Sequence, residues 1–208
     1  LDVELRSPQA VSVQAAESAP PNGTIATLTL MPADGAWIAW RPRTRDTRRE
    51  KPVFYAELSH LYVPTAGVIE GLHVVQVRPA QGELSELTLV APEGLTISDA
   101  SATGLSFWRF DPDSHKLRVS FSPPQARPFT LIVRSQIATS PLPYQQRAGL
   151  LTLEGAAAQV GLVGIATGAE VQLDQATAEQ LTPINMEDFP VSLVQTLAGQ
   201  IPGLTVRR

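Results

Sequence analysis

Three runs between Gly67 and Gln136 alternate apolar and polar residues with a period of two. They carry Leu87 and Leu89, then Leu117, Val119 and Phe121, then Phe129, Leu131 and Val133. On an extended chain successive side chains leave opposite faces, so each run buries one face and wets the other. Before the second run stands Gly104-Leu105-Ser106-Phe107-Trp108-Arg109-Phe110, followed by Asp111-Pro112-Asp113-Ser114-His115. That second group collects residues that favour turns over helix. The stretch reads as a β-meander.

The same punctuation extends in both directions. Upstream, strands are expected around Val3–Leu5 and Val11–Val13, over Thr24–Met31 with Ala26, Leu28 and Leu30 on one face, and over Ala36–Arg41. Ser18 to Gly23 and Pro32 to Gly35 form turns between them. Val53–Val63 predicts a long strand with Phe54, Ala56, Leu58 and Tyr62 on one face, and Val68–Val77 predicts the next. Gln136–Arg147, with Pro141 and Pro143, is a polar connector and the best boundary. Beyond it Leu150–Gly155, Val160–Ile165 and Glu170–Leu173 are strand-like, Ala176–Leu181 suggests a short helical turn, and residues 204–208 suggest a last strand. Val191–Leu197, behind Glu187 and Asp188, is the one amphipathic helix candidate, with a strand as its alternative. Strands recurring roughly every 10 to 15 residues without a helical period point to an all-β fold. The expected architecture is an antiparallel β-sandwich or an extended two-layer sheet. Residues 1–140 would form its core. Residues 141–208 would form a smaller β-rich part, packed on the same sandwich or beside it.

Composition narrows the function classes. A chain of 208 residues has the volume for a real core. With 43% hydrophobic and 17% charged residues it is too apolar for disorder, and no run is long enough for a membrane-spanning helix. A net charge of -4 argues against a dedicated nucleic-acid binder, which carries a basic surplus. The absence of cysteine removes disulfides, thiolate metal sites and cysteine nucleophiles together, and it suits an exported bacterial protein. The chain opens at Leu1 without Met or signal peptide and closes on Val206-Arg207-Arg208. It reads as a module of a longer chain.

The charge is unevenly distributed. Arg41 to Lys51 holds six of the 16 basic residues. Pro42 confines its strand to a sheet edge. If the strand continues, Trp37, Arg41, Arg43 and Arg45 share a face. Together with Trp40 they suggest a surface for a polyanion or glycan, with an indole as stacking platform. The competing reading is a solvated edge whose charges discourage sheet-to-sheet association, and it is favoured because Asp46 and Glu50 interrupt the run.

Other constellations are incomplete. Zinc needs three or four converging ligands. Here His60 and His73 lie on neighbouring strands and face each other only if those strands form a hairpin, with no cysteine or well-placed carboxylate beside them. They read as satisfied or surface histidines. Asp111, Asp113 and His115 resemble the start of a calcium loop, but the sixth and twelfth places hold Lys116 and Ser122 instead of Gly and Glu. No Gly-x-Ser-x-Gly elbow marks a serine hydrolase. Glu83 and Glu86 read as solvent-facing, not as a glycosidase pair. Gly161, Gly164 and Gly168 lie in an apolar run without the Lys-Ser/Thr ending of a phosphate loop, and suit close packing in strands.

From residue 52 onward the order of pieces resembles a known group. A long strand comes first, then Leu-Thr-Leu-Val-Ala-Pro-Glu-Gly-Leu-Thr-Ile (87–97), Gly-Leu-Ser-Phe-Trp-Arg-Phe (104–110) and Lys-Leu-Arg-Val-Ser-Phe (116–121). This is similar to the β-rich modules of large exported bacterial proteins of uncharacterised function. The resemblance implies an extracytoplasmic setting, periplasmic or cell-surface, with Trp108 in the core.

The expected function is a non-catalytic structural or interaction module of such a protein, without cofactor or metal. Its partner would be a protein or a cell-envelope polymer. The alternative is glycan or polyanion binding through Trp37, Trp40, Arg41, Arg43 and Arg45. A hydrolase with a scattered site would instead show a deep polar pocket with perturbed carboxylates.

Overall fold

The computed structural model describes residues 3–17, 24–42, 51–167, 171–174, 176–178 and 180–198. The chain divides into two compact units, Leu1–Asp46 and Thr47–Arg208.

The first unit contains two ribbons. Strand β1 (Val3–Arg6) pairs antiparallel with β4 (Ala39–Pro42), and β2 (Ala10–Glu17) with β3 (Thr24–Leu30). Ala26, Leu28 and Leu30 share the half-buried face of β3, as its alternation predicts. Strand β4 starts at Ala39, so Trp37 and Ile38 precede it instead of lying within it. Pro42, which has no N–H to give a ladder, ends this strand in a two-stranded sheet.

The second unit is a sandwich. Its strands are β5 (Val53–Pro64), β6 (Val68–Gln81), β7 (Leu84–Val90), β8 (Leu95–Ala102), β9 (Leu105–Asp111), β10 (Lys116–Gln125), β11 (Phe129–Ala138), β12 (Thr152–Leu153) and β13 (Ala158–Ile165). One sheet has the order β13-β5-β6-β11-β8 and the other β12-β7-β10-β9. The all-β expectation holds, and pairing is antiparallel except that β13 runs parallel to β5. Phe54, Leu58, Val75, Val77, Leu131 and Val133 of the first sheet share one buried core with Leu87, Leu89, Leu117, Val119 and Phe121 of the second. Phe121 and Phe129 meet edge to face with ring centroids 4.9 Å apart. Trp108 and Phe110 pack half-buried against this core from β9, while Phe107, just before Trp108, is exposed.

The connectivity is not the expected meander. Among the described residues of the second unit, the hairpins are β5–β6 and β9–β10, because β6, β7, β8 and β9 alternate between the two sheets. Alternation reveals which face of a strand is buried, but not which neighbour it bonds. The 140/141 boundary also differs from the observed division at Asp46 and Thr47. Strand β12 adds to β7 and β13 to β5, so residues beyond 140 complete both sheets.

The outer face of the five-stranded sheet carries a second apolar cluster. Leu61, Val63 and Leu72 pack there with Ala166, Phe189 and Leu193. The last belongs to helix α1 (Val191–Ala198), so the helical reading of that segment holds. Gly164 of β13 allows this approach, since a Cβ there would sit 3.0 Å from Phe189 Cζ. Residues 171–173 and 176–178 are neither strand nor helix, in contrast to the sequence expectation, and 204–208 lie outside the described residues.

Candidate functional site

Strands β5, β6 and β11 turn alternate side chains into the sandwich. Most of those positions are aliphatic, but three are polar: His60, His73 and Ser135. The β5–β6 register sets His60 directly opposite His73, and the β6–β11 register sets Ser135 opposite Gly71, one diagonal step from His73. Nδ1 of His60 lies 2.9 Å from Nδ1 of His73, and Nε2 of His73 lies 2.7 Å from Ser135 Oγ. The three residues are 1%, 0% and 2% exposed. Gly71 makes room for them. A Cβ at that position would collide with Ser135 Oγ and come within 2.8 Å of His73 Nε2.

Tyr62 borders the group, its ring edge-on to His73 at a centroid distance of 5.4 Å. Its hydroxyl donates to the carbonyl of Gly149, tying the connector before β12 to the middle of the sheet. Burial pushes His60 down to about 4, and burial together with the neighbouring His60 pushes His73 down to about 3. Burial raises the Tyr62 hydroxyl out of its ordinary range. Both imidazoles are therefore neutral near pH 7. A 2.9 Å contact between two Nδ1 atoms is a hydrogen bond only when one ring carries its proton there and the other does not. The two histidines are thus opposite tautomers.

A serine hydroxyl against an imidazole is the pairing a nucleophile uses. Here it lies fully buried inside the core, bordered by Tyr62 and His60. What the arrangement does in this state is cross-link three adjacent strands by side chains, in addition to their backbone ladders.

The residues singled out from sequence lie elsewhere. Trp37 and Trp40 are exposed by 53% and 70%, and Arg41 is exposed. Trp40 pairs in register with Leu5 and Arg41 with Glu4. Adjacent strand residues face opposite ways, so Trp40 and Arg41 lie on opposite faces of β4. The shared face expected for Trp37 and Arg41 depended on a strand through residue 37, which the structure begins at Ala39. Arg43 and Arg45 lie outside the described residues.

The Asp111–His115 segment is the hairpin turn between β9 and β10. Ser114 Oγ donates to Asp111 Oδ2 at 2.7 Å and the Asp113 N–H to Oδ1, which hold the Asp111 carboxyl below its usual range. A shallow open recess is lined by Phe54, Leu84, Glu86, Leu87, Arg118 and Glu154 among others. At its rim Lys116 pairs with Glu154 at 2.8 Å. Among the described residues, no three His, Cys, Asp or Glu side chains group to hold a metal ion.

Sequence reasoning paired His60 with His73 but missed Ser135 and Gly71. Their signal was present. Ser135 interrupts the apolar series Leu131, Val133, Ile137, and Gly71 interrupts Ile69, Val75, Val77 on the same parity as His73.

No family model matches the chain, and no curated protein matches it. Among solved structures, a mutant two-domain M1 zinc metallopeptidase bound to L-tryptophan is similar at 17% identity and a TM-score of 0.37. The same type of mutant bound to L-arginine is similar at 19% and 0.37, and the M1 zinc metallopeptidase from Deinococcus radiodurans at 17% and 0.36. Each comparison covers 56% of this chain and 32% of the other, so the chain spans about a third of those proteins. It is a β-rich domain similar at low identity to part of them, and no activity is carried across.

Proposed function

We propose that the chain is a non-catalytic structural or interaction module of a larger exported bacterial protein, presenting its surfaces to a partner protein or a cell-envelope polymer. The observation that carries this reading is the burial of His60, His73 and Ser135. The side chains best suited to acid–base or nucleophilic work bond one another inside the sandwich and cross-link three strands of one sheet. Purified protein is expected to turn over no ester, peptide or glycoside substrate. Turnover that disappears on substitution of one polar cluster would overturn the reading. Fractionation of cells making the parent protein is expected to place it outside the cytoplasm.

A second reading has its own support. Trp37 and Trp40 stand exposed on the first unit, where indole faces are open to stacking on sugar rings. In this reading the unit binds a glycan or polyanion through Trp37, Trp40, Arg41, Arg43 and Arg45. Binding to a heparin-like polymer would then weaken with salt and disappear in the Arg43→Glu/Arg45→Glu variant. Unchanged binding in that variant would exclude the arginines.

A further inference from the structure

We propose that the His60–His73–Ser135 network is an acid-sensitive lock on the five-stranded sheet, closed while both imidazoles are neutral and opened when the pair takes up a proton.

The geometry leaves an incoming proton no compatible place. In the acceptor ring, the nitrogen still able to bind a proton is the Nδ1 engaged with the other histidine. Protonation there sets two N–H groups head-on across 2.9 Å and breaks the bond between β5 and β6. In the donor ring the proton enters at Nε2 and creates an imidazolium. For that charge to persist in the core, a counter-charge must face it.

None faces it among the described residues. On β5, β6 and β11 the charged side chains Glu57, Glu70, Arg78 and Arg134 occupy the opposite parity to the interior positions, so they leave the outer face of the sheet. Glu57 and Arg78 pair with each other there at 3.1 Å. On β8, Asp99 is exposed while Ile97 and Ala100 are buried. The buried positions of β7, β10 and β12 are aliphatic or aromatic, as are the side chains that β9 and β13 pack against the core. The titratable neighbour is Tyr62, neutral and donating to the Gly149 carbonyl.

The sign follows from linkage. Both histidines bind protons less readily when folded than an unfolded histidine near 6.5. The unfolded or opened chain therefore takes up protons first, and stability present above about pH 6.5 is lost as the pH falls towards 4. At pH 5 this favours the open form by roughly 10- to 30-fold per histidine.

Amide hydrogen exchange on the full 208-residue chain tests the lock. After correction for intrinsic rates, peptides of β5, β6 and β11 are expected to exchange on the order of a hundredfold faster at pH 5.0 than at pH 7.5. The His60→Leu/His73→Leu/Ser135→Ala variant replaces the network with apolar side chains and is expected to lose most of that difference. Its residual difference measures the surface carboxylates. Protection unchanged by pH in the wild type, or equal acid loosening in the variant, would overturn the proposal.

Nitrogen-15 NMR of the wild-type imidazoles decides the matter even if the variant does not fold. One ring protonated at Nδ1 and the other at Nε2 are expected at pH 7.5, with both rings neutral in whatever remains folded at pH 5. An ordinary titration near 6.5 in a chain that stays folded would sink the proposal.

Discussion

Gly71 shows how one absent atom sets the chemistry of a core. Hydrogen is the largest side chain that fits between Ser135 Oγ and His73 Nε2. Gly71→Ala is expected to destabilise the protein by about 2 kcal/mol, since the added methyl strains the site and turns Ser135 away from its imidazole. Ser135→Ala removes one of the two collisions and also deprives His73 of its partner. The double variant is therefore expected to cost less than the sum of the two singles, measured by urea denaturation at pH 7.5. The histidines were readable in advance as candidates to oppose each other across a hairpin, because two adjacent apolar runs each carried one. Their tie to Ser135 was not, because β11 lies far along the chain and only the sheet order brings it beside β6. The surface reading around Trp37 depended on where a strand begins, and strand ends are set by hydrogen bonds that no side-chain pattern records.

At the level of elements, α1 is too short to hold its own helix. Eight residues lie well below the ~12 to 15 at which an isolated helix is even marginal in water. It persists through Leu193 and the preceding Phe189, which rest on Leu61, Val63, Leu72 and Ala166. Phe189→Ala is expected to cost about 3 kcal/mol. It should also abolish exchange protection across 191–198 and leave β7 and β10 as protected as before. Equal loosening of β7 and β10 would mean that the helix supports the whole sandwich. Strand existence was legible from periodicity almost throughout, as in the alternating Leu117, Val119 and Phe121 of β10. Connectivity was not, because the crossings after β6, β7 and β8 use turn residues indistinguishable from those of hairpins.

For the whole molecule, one contiguous core drawn from residues between Phe54 and Leu153 unites both sheets of the second unit. The first unit consists of two-stranded ribbons with Val11, Met31, Trp37 and Trp40 exposed. Residues 47–208 alone are expected to give a dispersed amide spectrum and a cooperative unfolding transition. Residues 1–46 alone are expected to give neither, since isolated ribbons are marginal in water. The order of synthesis adds a separate consequence. Tyr55 pairs with Ala158 and Tyr62 with Ile165, so one flank of β5 waits for a segment about 100 residues downstream. At ~5–20 residues per second a ribosome takes roughly 5 to 20 seconds to deliver it. During that interval a twelve-residue strand rich in Phe, Tyr, Leu and Val presents unpaired backbone to its surroundings. A nascent chain halted before residue 158 should therefore be the species that chaperones capture and that aggregates when they are depleted.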